Sequence, residues 1–250
     1  MHDDGLFSFD LIDSRVFVKI YTRDFKPSSH QYIAKDEIEI GEVYNNHEII
    51  KQDLSVDYLC VSNQVHGNSV VLLTNPWQIN QEPECDGIVT QQKNIALGVL
   101  TADCVPVLIC SGDGEFIASL HCGWRSLYQG IIENSILQLR ALGALSLKAI
   151  IGPSIGYQDY IIDRNYYENW VSKSDNFTQF FSPLEENSGK YNCDLASIAK
   201  YFLETNNVEI AYHNRQSTYS NPARYPSYRY AIDNNLKKYK GSILSTITKR

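Results

Sequence analysis

Short apolar runs alternate with polar, turn-rich stretches along the chain, and their spacing changes near the middle. "RVFVKIY" (15–21) places Val16, Val18 and Ile20 two apart, the period of a strand with one wet face. Residues 24–57 are polar and irregular, with a short helix predicted around "NNHEIIKQDL". "YLCVSNQVHGNSVVLLT" (58–74) reads as two strands flanking a turn at His66-Gly67-Asn68. "IALGVL", "VPVLIC" and "FIASLHC" follow as strands, and Gly112-Asp113-Gly114 suits a tight hairpin between the last two. Beyond His121 the period becomes helical, with Ile132, Ile136, Leu139 and Leu142 on one stripe, Ser126 as candidate N-cap and Gly143 placed to end the helix. "LKAIIGPSIG" (147–156) returns to strand and stops at a Gly/Pro turn, 172–190 reads as a polar loop, and "LASIAKYFLET" resumes a helix. No internal repeat or long linker divides the chain, so the expected class is α+β, one domain over residues 1–250.

Length and charge narrow the function classes. A chain of 250 residues can bury a sizeable core. With 22 Lys plus Arg against 29 Asp plus Glu, the net charge of −7 argues against nucleic acid or an anionic membrane as partner. The opening "MHDDGLFSFDLID" has neither the basic start nor the apolar run of a secretory signal, and no segment has the length of a membrane span. A soluble cytoplasmic protein is the expectation. The six cysteines form no CxxC pair, which removes the common structural-zinc and thioredoxin readings. Cys60 and Cys110 end apolar runs and read as inert buried thiols, but that account does not extend to Cys104.

Three residues stand at predicted element ends: His66 in "QVHGNSV", Cys104 in "TADCVPVLI" and His121 in "SLHCGW". Imidazole and thiolate suit Zn²⁺, and three protein ligands with an open fourth position describe a catalytic site. The same atoms also describe a metal-free nucleophile and base, Cys104 with His121, oriented by Asp103 or Asp86. Spacing leaves both open.

The ordered run "QVHG", "CDGIVT", "TADCVPVLI", "IASLHCGWRSLYQGII", "IGPSIG" and "SYR" resembles the YfiH/laccase-domain family, also called the multicopper polyphenol oxidase or peptidoglycan-editing family. The resemblance is close over about residues 60–156 and looser elsewhere. It implies mixed β-sheets sandwiched by helices, in a YfiH-like fold related to cysteine hydrolases. It also implies that His66, Cys104 and His121 hold zinc, with copper able to occupy the same donors. The implied activity is phosphorolysis of purine nucleosides (adenosine, inosine, methylthioadenosine), with adenosine deamination as companion and phosphate as co-substrate. Within that reading Cys104, His121 and Arg125 are the candidate catalytic residues. Arg125 stands at a helix entrance, where free backbone N–H groups already favour an anion. Gly123 lets the chain turn, Trp124 is read as packing rather than base stacking, and Asp103 either orients a histidine or caps its turn.

The chain departs from the family pattern in places. HAGWRG becomes "HCGWRS", with Cys122 expected to point away from the site, and FFSYRRD…TGR survives as Ser227, Tyr228 and Arg229, with Tyr230 and Ser242 where arginines stand. The family's N-terminal Asn-Leu-Gly segment is not recognisable. A non-catalytic zinc-bearing interaction module is one alternative, and two competing enzymatic functions remain. One is a Cys–His amide hydrolase acting on peptidoglycan precursors. The other is copper-dependent polyphenol oxidation, which ranks lower because four coppers call for about eight histidines and the chain has six.

Overall fold

The computed structural model describes residues 7–12, 15–25, 32–33, 40–185, 188–236 and 241–250. The first six residues, most of 26–39, His2 and His30 therefore lie outside the described residues. One sheet orders five strands as β1 (Phe7–Ile12), β2 (Val16–Tyr21), β14 (Ile243–Lys249), β6 (Ile95–Thr101) and β3 (Tyr58–Cys60). A second orders six as β13 (Val208–His213), β9 (Leu147–Ile151), β7 (Val105–Ser111), β8 (Ile117–Cys122), β5 (Gly87–Thr90) and β4 (Val70–Leu72). A small third sheet joins β10 (Ile161–Asp163), β12 (Lys190–Cys193) and β11 (Phe181–Pro183). The helices are α1 (Ile40–Leu54), α2 (Trp124–Tyr128), α3 (Ile131–Ala141), α4 (Arg164–Lys173), α5 (Leu195–Thr205) and α6 (Tyr228–Asp233).

Alternation along β7 shows how the layers stack. Val107 and Ile109 enter a core shared with Ile132 and Ile136 of α3 and Ile198 of α5. Leu108 and Cys110 face the other way, onto Ile20, Leu97 and Ile247 of the five-stranded sheet. That sheet's outer face, with Phe17, Leu59 and Ala96, is covered by Ile50 and Leu54 of α1. The order is helix, sheet, sheet, helices, the anticipated α+β sandwich. Ile20, Leu97 and Leu108 have no exposed surface, and burying such side chains contributes about 1.5–3 kcal/mol each.

Several local expectations change. β2 is enclosed on both faces because α1 covers the side that alternation assigned to solvent; even Lys19 is drawn in, donating to Asp53 at 2.6 Å. The helix predicted near 45–54 is longer, beginning at Ile40. Two strands do flank the His66 turn as expected, but in different sheets: β3 runs parallel to β6 and β4 parallel to β5, so residues 61–69 carry the chain between sheets. Periodicity identifies a strand but not its neighbour. The helix after His121 is two helices, broken at Gly130 with φ 87°. Ser126 lies buried inside α2 rather than capping it, and extended Gly123 takes the cap position. Ile132, Ile136 and Leu139 are buried and Gly143 (φ 106°) ends α3 as expected. Within the polar stretch 172–190, Phe177, Phe180 and Phe181 are three buried anchors, and residues 175–183 form a 3₁₀ turn and β11 rather than a loop.

Candidate metal centre

The β7–β8 hairpin positions two of the three candidate ligands. In its register Pro106 lies opposite His121 and Val105 opposite Cys122, so Cys104, just before β7, arrives beside the end of β8. The third, His66, comes from the segment that crosses between sheets, with φ 60°. One carboxylate explains that conformation. Asp86, buried just before β5, accepts the backbone N–H groups of Val65 (3.2 Å), His66 (2.9 Å) and Gly67 (2.7 Å). Asp86 also bonds His121 Nδ1 at 2.7 Å, and its own carbonyl accepts the His121 backbone N–H at 2.7 Å. A single side chain thus sets the His66 turn and the His121 ring orientation, and by occupying Nδ1 leaves Nε2 for a cation.

The ligand atoms of His66, Cys104 and His121 all lie within 4.8 Å of one another. His66 Nε2 is 3.9 Å from Cys104 Sγ, and the two imidazoles meet edge to face with centroids 4.6 Å apart. Metal–ligand bonds of about 2.0–2.3 Å suit a cluster of this size, and its N, N, S donor set suits zinc. Gly123 completes the cradle. A Cβ there would stand 3.0 Å from His66 Cδ2 and 3.2 Å from Cys104 Sγ and would press on both side chains, so the reason for glycine is space, its φ of −69° being ordinary.

The cluster's electrostatics are cooperative. Burial would raise the Cys104 thiol, but His121 and His66 override it and hold it down to about 6. Burial would likewise lower His121; the Cys104 thiolate and Asp86 instead raise it to about 9. Asp86, despite its burial, is held below the usual carboxylate range by the His121 ring and the turn's N–H groups. The other five cysteines are buried, and Cys122 packs in the helix-side core, as strand alternation predicts.

Asp103 has a different task from orienting a histidine. At φ 99°, strained for a non-glycine residue, it accepts Thr218 Oγ1 and the Arg229 N–H, both at 2.7 Å. Its carbonyl accepts the Ile155 N–H at 2.9 Å, bringing the Gly/Pro turn beside the site. Arg125 is exposed, its guanidinium 4.9 Å from the Trp124 ring centroid. Trp124 is half-buried against Tyr166, centroids 4.9 Å apart, and serves as both packing and wall.

That wall belongs to a cleft of about 560 Å³ that sequence reasoning missed. Trp124, Tyr160 and Tyr166 supply its aromatic surface, and Asp163, Lys190, Arg229 and Asp233 its charges. The cleft adjoins the cluster: Trp124 follows Gly123, and Tyr160, raised above the ordinary tyrosine range by burial, also feels the Cys104 charge. Tyr160 and Lys190 had no sequence signal beyond being polar residues among tyrosines, whereas Asp86 was visible as the acid in "CDGIVT". Among the described residues this is the one His/Cys cluster of metal-binding size, and no helix is long and apolar enough to cross a membrane.

Known proteins agree with this architecture. A Rickettsia conorii protein named purine nucleoside phosphorylase is 37% identical over 239 residues, covering 95% of this chain and 98% of that one. A Rickettsia prowazekii protein of the same name is 36% identical over 239 residues, with the same coverage. The crystal structure of a Neisseria meningitidis protein superposes with TM-score 0.80 at 23% identity, covering 98% of this chain and 99% of that one. Bacillus licheniformis YfiH gives TM-score 0.81 at 19% identity over 95% and 94% of the two chains. The family described as multi-copper polyphenol oxidoreductase laccase matches residues 32–249, and the chain belongs to that family.

Proposed function

We propose that this chain is a zinc-dependent purine nucleoside phosphorylase acting on adenosine, inosine and methylthioadenosine, with adenosine deamination as a companion activity, in the cytoplasm. The observation that carries the reading is the His66–Cys104–His121 cluster adjoining an aromatic cleft. Similarity over nearly the whole chain to relatives bearing the phosphorylase name supports it.

In phosphorolysis a phosphate oxygen bonds to the ribose anomeric carbon as the bond to the purine breaks. The bonding pair leaves on the purine nitrogen, which takes a proton, giving ribose 1-phosphate and free base. Trp124, Tyr160 and Tyr166 offer flat apolar surface to the purine. His66, Cys104 and His121 would hold the cation, zinc by preference and copper by the same donor chemistry. When bound, that cation supplies Lewis acidity and acidifies its water towards neutrality. Asp86 keeps His121 in the tautomer whose Nε2 is free and keeps the His66 turn closed. Cys104 and His121 are the catalytic residues of this reading. Arg125, stacked on the cleft's Trp124, adds positive field for the phosphate.

Metal-loaded chain incubated with inosine or adenosine tests the proposal. Ribose 1-phosphate and free purine should form only when phosphate is present, and adenosine should release ammonia without it. Free purine released equally well without phosphate would overturn it.

One observation favours a second reading. Cys104, His121 and Asp86 follow the order nucleophile, base and orienting carboxylate of a hydrolytic triad. An amide hydrolase acting on peptidoglycan precursors would use them without metal. Chelation separates the two, because hydrolysis by the triad survives metal removal and the proposed phosphorolysis does not.

A further inference from the structure

Arg229 differs from the other cations near the site. It begins the second position of α6, partly buried, and lines the cleft. Its backbone N–H is held by Asp103, the residue directly before Cys104, so the arginine is tied to the ligand-bearing turn. One guanidinium nitrogen donates to the Ile161 carbonyl at 3.1 Å, and the guanidinium carbon lies 5.6 Å from the Tyr160 ring centroid. That uses one of five N–H donors. Among the described residues no carboxylate lies within ion-pair distance of Arg229 or of Lys190.

Of the cleft's own acids, Asp163 caps α4 by accepting the Tyr166 N–H at 2.9 Å, and Asp233, at the end of α6, makes no ion pair with Arg229. A partly buried guanidinium without a carboxylate partner, in a protein of net charge −7, is an arrangement that an anionic ligand would complete. Tyr160 connects this place to the chemistry, since its ring lies under Arg229 and its hydroxyl feels the Cys104 charge. Arg125, by contrast, is exposed and does not line the cleft.

We propose that Arg229 seats the attacking phosphate at the cleft, with Lys190 as the second cation facing it. The inference rests on the phosphorolytic reading and adds to it the residue that fixes the nucleophile. A planar fork with two or more free N–H groups can hold two phosphate oxygens at once and aim a third.

The experiment is a phosphate saturation series on metal-loaded full chain with inosine, alongside titration of orthophosphate alone followed by ³¹P line broadening. Arg229→Gln should raise the KM for phosphate and weaken orthophosphate binding at least tenfold. The KM for inosine should stay within twofold, and metal content should be unchanged. Arg229→Lys should recover part of the loss, and Arg140→Gln on the exposed face of α3 should change nothing. Phosphate KM and affinity within twofold of the starting protein in Arg229→Gln would overturn the inference, as would a larger phosphate effect in Arg125→Gln. If the unsubstituted protein forms no ribose 1-phosphate, the phosphorolytic reading fails. The orthophosphate titration then still decides for the Arg229 seat: binding lost in Arg229→Gln supports it, and equal or absent binding overturns it.

Discussion

Cys104 and His121 sit at the open end of a fully buried hairpin, whereas the adjoining cleft wall is assembled from α2, α4, α6 and a three-stranded sheet. The hairpin inherits its precision from β-register, which places Pro106 opposite His121 whatever the side chains outside it do. The wall depends on individual bonds, such as Asp103 to Arg229 and Arg229 to Ile161. On the proposed reading, one region holds a cation and the other is shaped for what it binds. Substitutions should therefore separate into those that lose metal and those that change saturation behaviour while keeping it.

The largest effect belongs to the hairpin. Cys104→Ala removes the sulfur from a three-ligand set, so one bound metal per chain should be lost and kcat should fall by about 10³-fold, the scale of losing a principal electrostatic or acid–base group. Full metal content in that variant, by elemental analysis, would break the comparison at its root. Asp86→Asn is next. It keeps the shape but weakens the bond to His121 and the support of the His66 turn, and metal affinity should drop about 10–100-fold. Competition against a chelator measures it, and an unchanged affinity would mean that the turn closes without the carboxylate charge.

How much of this was readable beforehand follows the same division. The strands of the hairpin, the stripe on α3 and all three cluster residues were visible, because apolar period and unusual residue types at element ends are local signals. The break at Gly130 was not, since a glycine after a glutamine does not announce a left-handed turn. Nor was the crossing between sheets at residues 61–69, because strand partnership is a long-range property. The cleft was invisible for a related reason: Trp124, Tyr160, Lys190 and Arg229 lie up to 105 positions apart in sequence and converge only through packing. Asp86 is legible as an orienting group, but its three backbone donors are not, since they depend on the fold of the His66 turn.

A third effect is about tenfold and sharpens the contrast between Cys104 and the other thiols. In metal-free protein, imidazoles hold Cys104 at about 6 while burial pushes Cys60 and Cys110 up to about 12. The folded value of Cys104 is depressed, so its thiolate is present above about pH 6 and is lost as pH falls through it. The same sign makes its contribution to stability full only above the unfolded thiol's range and lost on acidification. Alkylation by iodoacetamide should rise about tenfold from pH 5 to pH 7 and then flatten. Cys104 should be the site modified, and zinc should suppress the reaction. A rate still climbing at pH 9 would mean that the histidines do not hold the thiolate.

The smallest effect tests the wall alone. Asp103 accepts two hydrogen bonds from distant residues, Thr218 Oγ1 and the Arg229 N–H, and does so at a backbone angle that asparagine tolerates as well as aspartate. Asp103→Asn keeps an acceptor oxygen for the Arg229 N–H and gains an amide that donates to the Thr218 hydroxyl, so both contacts survive, but the bond to Arg229 loses its charge assistance at a cost of about 1 kcal/mol. Because the weakened bond holds α6 rather than a cluster ligand, metal content and the KM for inosine should stay as they were. The KM for phosphate should rise about fivefold, the same free energy expressed as a ratio. Loss of metal from this variant would show that the turn before Cys104 depends on the wall, and that the hairpin's register is not enough by itself to keep the sulfur in place.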